Sequence, residues 1–493
     1  MTTHLSAATL ESLKGSASIP VYRRDQLSPG ILHVGCGNFH RAHQAVYLHE
    51  LFNMGEGFDW ALIGAGMREA DEQMRQKLLA QDLYTTVVEQ EAGKSAAHVT
   101  GSMIGFIKPG DSAALIAAMA DPAIRIVSLT ITEGGYYINS ATGKFDPAHP
   151  DMLHDAQNPD SPKTVFGIIL AALKVRREKG VQPFTVMSCD NIPHNGVVTK
   201  NAVAGLAAVS GSGLDSWVTA NVAFPNGMVD RITPATTDRE RQLLKDNFGF
   251  EDNWPVFCED FKQWVLEDNF PAGRPPLEKV GVQFVKDVSP FELMKIRILN
   301  GGHAVIAYPA ALMDIHFVHE GMENPLVKAF LDKIESEEII PCVPPVPDTD
   351  LGDYYKLIVR RFSNPKIGDT ISRLCLDGSN RQPKFIIPSI NDRLNQGKSV
   401  TGLALESALW CRYCFGETDS GRHIAPNDPS QWDRLQASAR EAKTRPDVWL
   451  EMHDIYGDIA KSAVFREAFA KALNALWKDG TKATLERYLA NQL

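Results

Sequence analysis

The sequence predicts an α/β chain in two parts: an N-terminal domain built on a doubly wound parallel sheet, and a mainly α-helical C-terminal domain. Three observations predict it. The chain has 493 residues, more than one hydrophobic core usually serves, so two domains are expected. In the first part, short apolar runs alternate with helical periodicity, the pattern of βαβ units. From about residue 286 helical patterns follow one another with few strands between them. The expected domains are therefore 1–285 and 286–493.

Taken in order, Ile31–Val34 reads as the first strand, Trp60–Ile63 as the second, Ile124–Ile131 as the third and Phe184–Met187 as the fourth. Helical stretches such as Arg41–Phe52 and Ala70–Leu79 lie between them. In the second part, Ser289–Ala311, Leu326–Glu337, Leu403–Tyr413 and Ala463–Asn491 read as helices, and the proline-rich Pro341–Pro347 as a loop. No internal repeat or low-complexity segment interrupts them.

Composition narrows the function classes. Apolar residues make up 44% and charged residues 22% of the chain, which suits a globular protein and neither a disordered nor a fibrous one. A net charge of −10 argues against nucleic acid or an anionic membrane as partner and leaves a small molecule. The seven cysteines are scattered and odd in number, as reduced thiols are. The stretch Met1–Gly15 lacks the basic start and apolar core of a secretory leader. The most apolar stretch, Ala113–Ile131, is broken by Asp121, Pro122 and Arg125, so no membrane span is expected. A cytoplasmic protein is the expectation. No segment reads as a coiled coil or an exposed apolar helix, and the sequence leaves the oligomeric state open, a monomer included.

The first strand runs into Gly35-Cys36-Gly37-Asn38-Phe39-His40. Glycines after a strand and before a helix permit a tight turn and close approach of the backbone to a pyrophosphate. The following helix start adds N–H groups and the positive dipole end. This is the arrangement of a Rossmann-type dinucleotide site, although His40 stands where the third glycine of the fingerprint would be. The second strand ends in Gly64-Ala65-Gly66-Met67-Arg68-Glu69. An acid there accepts hydrogen bonds from the adenosine ribose and repels a 2′-phosphate, favouring NAD. Glu69 is the first choice and Asp71 the fallback. Arg68 pulls the other way, since it could serve a 2′-phosphate, and a helix-start glutamate favoured by the dipole competes with the functional role.

The segment Ser289-Pro290-Phe291-Glu292-Leu293-Met294-Lys295, continuing through Asn300 to His303, carries the chemistry. Ser289 and Glu292 have capping-box spacing, with Pro290 at the first helical position. At about 100° per residue, Lys295, Asn300 and His303 fall within an arc of roughly 140°. A lysine partly withdrawn from water loses preference for its charged form and can accept a proton near neutral pH. That proton leaves a secondary alcohol as hydride departs from carbon, and asparagine carboxamides can steady the oxygen. Gly301-Gly302 weakens the helix by about 1 kcal/mol per glycine, which makes sense if something approaches the backbone there. From spacing alone, a snorkelling lysine and a satisfied core histidine are the commoner outcome.

Further strings decide between these readings. Lys295-x-x-x-x-Asn300-x-x-His303, Gly35-x-Gly37-x-Phe39-His40-Arg41-x-His43, Thr132-Glu133-Gly134-Gly135-Tyr136, Cys189-Asp190-Asn191-Ile192-Pro193-x-Asn195-Gly196 and Val229-Asp230-Arg231-Ile232-Thr233-Pro234 together resemble the polyol-specific long-chain dehydrogenases/reductases. The resemblance spans residues 31 to about 380. It implies NAD-dependent interconversion of D-mannitol and D-fructose, with related polyols such as D-arabinitol, and no zinc. It implies Lys295 as general base, Asn191 and Asn300 as holders of the reacting oxygen, and His303 as a substrate-orienting residue. Asp230 and Arg373 would contact sugar hydroxyls, and Glu292 either relays the proton or caps its helix. Gly35, Gly37, Asn38, Phe39, Arg68, Glu69, Thr132, Glu133 and Asn191 would line the cofactor. Asp230 alone would read as a surface acid paired with Arg231 or a neighbouring base.

Competing readings are fewer. Cys411-Arg412-Tyr413-Cys414 is a lone C-x-x-C without a second pair, and His40 and His43 have no evident acidic partner, so no metal site is expected. A hexuronate reductase of the same family, acting on fructuronate or tagaturonate, would need a basic group for the substrate carboxylate, such as Arg373, Arg381 or Lys384. A nucleotide-sensing protein on the same fold and a 6-phosphogluconate-type dehydrogenase are weaker alternatives.

Overall fold

The computed structural model describes residues 2–139 and 143–493. They form two compact units, Met1–Ser289 and Pro290–Leu493. The first is built on five strands: Pro29–Val34 (β1), Ala61–Ala65 (β2), Met103–Ile107 (β3), Ile126–Leu129 (β4) and Thr185–Ser188 (β5). Their order is β3-β2-β1-β4-β5 and every pairing is parallel. This is the doubly wound order, in which ligands bind beyond the carboxyl ends of the strands where the order reverses, here between β1 and β4. The third strand, Met103–Ile107, is absent from the strands expected above; its Gly105 and short apolar run carry little periodic signal.

The sheet is buried on both faces, as parallel sheets must be. Consecutive residues of β1 serve different cores. Leu32 and Val34 pack with Phe166, Ile169 and Val203. Ile31 packs with Tyr47, Leu51 and Leu78 on the other face, as the two-residue period of a strand requires. A two-stranded sheet, Thr3–His4 with Phe250–Glu251, and two three-stranded sheets complete the unit. One three-stranded sheet pairs Thr85–Gln90 with Ser95–Thr100 and Val256–Glu259; the other pairs Gln263–Glu267 with Gly227–Asp230 and Gln283–Val285.

The expected helix Arg41–Phe52 is two helices, Asn38–Ala42 and Gln44–Asn53, broken at His43. The His43 imidazole meets the Gln263 carbonyl at 2.9 Å and packs against Phe39 and Trp264, an anchorage across the fold that local helix propensity cannot reveal.

The second unit is made of helices joined by loops, and its described residues form no strand beyond isolated bridges. Thr401–Cys414 is buried at every position from Gly402 to Cys414, so it reads as apolar all round rather than as a stripe. Its first turn is closed by Glu338, whose carboxylate accepts the Gly402 and Leu403 N–H groups at 2.8 and 2.9 Å. The long C-terminal helix, Ala463–Leu489, changes direction at Gly480, where φ is +78°. Two helices depart from α geometry. Ser289–Met294 continues as a π-helix over Lys295–Asn300 before resuming as Gly301–Leu312. Pro325–Ile334 likewise passes into a π-helix over Glu335–Ile339. The continuous α-helices expected over these stretches are therefore corrected.

Candidate functional site

In the first unit the predicted cofactor residues gather at the carboxyl ends of β1, β2, β4 and β5. Gly35 follows β1 with φ +101°, and a Cβ there would lie 2.0 Å from the Thr130 carbonyl oxygen, so glycine is obligatory. Gly37 is exposed, and a Cβ on it would meet no atom within 4 Å. The first glycine thus answers to the fold, while the second faces open space where a ligand's phosphates would fit. Asn38 is committed inward. Its amide donates to the Pro234 carbonyl and to Thr236 Oγ1, and its oxygen accepts from Arg41 and Trp254. Its carboxamide is spent inside the protein, which leaves the backbone as the part of Asn38 open to a cofactor. Phe39 is half-buried and stacks on His43.

At the end of β2, Arg68 and Glu69 are exposed. Asp71 accepts the Met67 and Arg68 N–H groups at 3.0 and 2.9 Å and pairs with the Arg68 guanidinium at 3.3 Å. The fallback acid is thereby spent on starting the helix Glu69–Leu79, and Glu69 is the acid left facing solvent.

The loop after β4 carries Thr132 and Glu133, both exposed. Thr132 has φ +66°, a costly conformation for a β-branched residue. Asp190, at the end of β5, holds it there. Its carboxylate accepts from the Ile131 and Thr132 N–H groups, each at 2.9 Å, and from the Tyr136 hydroxyl at 2.6 Å. Burial raises the Asp190 carboxyl above its ordinary range, opposed by those three donors. Asp190 received no role from the sequence; its place beside Asn191 within a family string is the signal that could have found it. Asn191 is exposed at the same strand end. Asn195 ties that end to the next strand, its carboxamide bonding the Gly227 N–H and carbonyl at 2.9 and 2.8 Å.

Asp230 closes the strand Gly227–Asp230 and is buried, 6% exposed. The surface pair with Arg231 is corrected. The Arg231 guanidinium bonds the carbonyls of Ala42 and Glu259 and the carboxylate of Glu89 instead.

In the second unit, Lys295 is 6% exposed and opens the π segment. A π turn advances roughly 80–85° per residue rather than 100°, so five steps carry Asn300 to roughly 50° from Lys295 instead of 140°. His303, three α steps further on, then falls within the same stripe of roughly 60°. The three side chains expected to share a broad arc therefore share a narrow one. What approaches Gly302 is the protein itself. A Cβ there would sit 3.1 Å from Glu335 Oε1 and 3.5 Å from Phe362. The Glu335 carboxyl is fully buried with neither oxygen bonded, and burial pushes its pKa well up.

His303 stacks on Phe362 at 4.1 Å and its Nε2 is buried without a partner. Burial, then the charges of Arg373, Arg361 and Arg381, holds its pKa well below the ordinary imidazole value, so the ring is neutral. Arg373 is paired with Asp369, which keeps it charged. Arg297, beside the stripe, is committed to Ser389 and Asp392. Among the described residues no three histidine, cysteine or carboxylate side chains come together as a metal cluster. Cys411 and Cys414 are buried thiols.

Comparison with known proteins places both parts of the chain in one family. Residues 29–279 match the mannitol dehydrogenase Rossmann domain and residues 287–477 the mannitol dehydrogenase C-terminal domain. A mannitol 2-dehydrogenase of Cereibacter sphaeroides is 60% identical over 476 residues, 96% of this chain and 99% of that protein. One of Aspergillus oryzae is 42% identical over 96% of this chain and 95% of that protein. The solved structure of Pseudomonas fluorescens mannitol 2-dehydrogenase, a ternary complex with NAD and D-mannitol, superposes with a TM-score of 0.87 at 43% identity, covering 99% of this chain and 100% of that chain. A substrate-free D-sorbitol dehydrogenase superposes with a TM-score of 0.90 at 34% identity, covering 98% of this chain. With both of its domains matched and its relatives aligned end to end, the chain belongs to the mannitol dehydrogenase family.

Proposed function

We propose that this NAD-dependent mannitol dehydrogenase oxidises C2 of D-mannitol to the ketone of D-fructose, with Lys295 as general base. The observation that carries the reading is the buried Lys295 at the head of a π turn that aligns it with Asn300 and His303. NAD, when bound, accepts the hydride from C2. Lys295 Nζ takes the proton of the C2 hydroxyl, and its withdrawal from water disfavours the charged form that could not do so. Asn191 and Asn300 donate carboxamide N–H groups to the oxygen as it becomes a carbonyl. Neutral His303, fixed by stacking on Phe362, orients the substrate, and Asp230 and Arg373 hold its hydroxyls. Glu292, also buried and one turn before Lys295, passes the proton towards solvent. Gly35, Gly37, the Asn38 backbone, Phe39, Thr132, Glu133 and Asn191 line the dinucleotide, with Arg68 and Glu69 at its ribose. D-arabinitol, which shares the reacting carbinol configuration sought here, is a second substrate.

The combined charge of Arg361, Arg373 and Arg381 on His303 favours one second reading, a hexuronate reductase. One set of assays separates them. NADH oxidation is expected with D-fructose and not with D-fructuronate; the reverse preference would replace the first reading with the second. Lys295→Ala is expected to lose several powers of ten in kcat while still binding NADH. Turnover near that of the parent would remove Lys295 from the mechanism.

A further inference from the structure

The Gly35 carbonyl is the end of a buried chain of side chains under the dinucleotide turn. Thr130 Oγ1 donates to it at 2.5 Å, and His33 Nε2 lies 2.9 Å from Thr130 Oγ1 and 3.2 Å from the same carbonyl. His33 Nδ1 meets Ser128 Oγ at 2.7 Å, and Ser128 Oγ meets the Gln44 carboxamide at 3.0 Å. His33, Ser128 and Gln44 are all buried, and His33 stacks on His40 with ring centres 3.5 Å apart. Burial holds the His33 imidazole at about 3, so the ring is neutral and carries one N–H.

Proton bookkeeping then gives the chain a direction. Thr130 spends its single proton on Gly35, so His33 must donate to Thr130 from Nε2. Nδ1 is then an acceptor and takes the Ser128 proton. Ser128 in turn needs a donor, which the Gln44 amide supplies once the carboxamide is turned over. That orientation aims the Gln44 carbonyl at His40. It also satisfies two of the three atoms that the opposite orientation leaves buried without a partner, the Gln44 amide and one of the two His40 ring nitrogens. His40, in place of the fingerprint's third glycine, is the origin of this chain.

The end of the chain matters because a trans peptide sets its C=O and N–H on opposite sides of one plane. Pulling the Gly35 carbonyl inward turns the Cys36 N–H outward, and that N–H has no acceptor among the described residues. We infer that Thr130 and His33 are positioning residues for the cofactor: through the Gly35 carbonyl they present the Cys36 N–H to the pyrophosphate. The inference rests on the reading of Gly35–Gly37 as the cofactor turn.

NADH binding to the full chain, followed by fluorescence titration, tests it. Thr130→Val keeps the shape and removes the hydroxyl. It is expected to weaken NADH binding about 3- to 10-fold, the worth of one hydrogen bond, and to raise KM for NAD by more than it lowers kcat. Thr130→Ser should restore parental affinity. Should Thr130→Val not fold, Ser128→Ala, which frees the His33 tautomer, carries the test with a smaller shift in the same direction. Gly37→Asp is the control and should abolish binding. Parental affinity in Thr130→Val or Ser128→Ala, with Gly37→Asp defective, would overturn the inference alone. Parental affinity in Gly37→Asp would overturn the turn assignment and the inference together. A lowered Tm with unchanged affinity would mark the chain as merely structural and overturn the inference as well.

Discussion

Asp71 and Glu69 lie two positions apart, yet only one is available to a ligand. Asp71 is consumed by the Met67 and Arg68 N–H groups, while Glu69 is exposed at the strand end. Residue type named both candidates; the hydrogen bonds chose between them. The same holds for Asn38, whose carboxamide is satisfied inside the protein at both ends. At this scale the prediction concerns cofactor choice. Glu69→Lys exchanges repulsion for attraction towards a 2′-phosphate and, with Arg68 beside it, should raise the NADP-to-NAD ratio of kcat/KM by about tenfold or more. Steady-state rates with both cofactors measure it, and an unchanged ratio removes Glu69 from the ribose site.

A π turn is a local insertion: one extra residue per hydrogen-bonded ring, tolerated where the surroundings fix it. Here Gly302, two residues past the Lys295–Asn300 segment, lies against Glu335, which itself opens the second π segment. The consequence is directional, since Lys295, Asn300 and His303 come onto one stripe. Inserting one alanine after Ile296 should carry Lys295 roughly 120–130° round from Asn300, whether the segment stays π or reverts to α, and keep the helix. Polyol turnover is expected to fall by about a hundredfold or more, the usual cost of misplacing reacting groups by about an ångström, with NADH binding retained. Circular dichroism and a mannitol assay would check it. Parental turnover in a folded insertion variant would show that the alignment of Lys295 with Asn300 has no part in the chemistry.

Across the molecule, the second unit holds Glu335 and Glu406 fully out of water. Glu406 is fully buried, and burial pushes its carboxyl up to about 8, eased by a hydrogen bond from Gln382. In the unfolded chain it ionises near 4.5. Its contribution to stability is therefore complete below about pH 4.5, declines as pH rises, and levels off above the folded value of about 8. Glu406→Gln should remove this dependence. Its Tm relative to the parent is expected to climb from pH 5.5 to pH 8.5, with a gain on the order of 3–5 kcal/mol at the upper end. Parallel melting curves across that range would show that the side chain does not stay neutral on folding.

The sequence by itself determined the doubly wound sheet and the mainly helical second domain, and it named the candidate residues for the site. Apolar periodicity, glycine placement and residue chemistry are written along the chain, so Gly35 after Ile31–Val34 and Lys295 ahead of Asn300 and His303 were legible without coordinates. The tertiary structure alone decided which of those residues remain available. The pull of Gln263 and Trp264 on His43, the crowding of Gly302 by Glu335, the hold of Asp190 on Thr132 and the seat of Gly35 on Thr130 all join positions far apart in sequence. Such contacts form only once the elements pack, and no local periodicity encodes which distant partner will meet a given side chain.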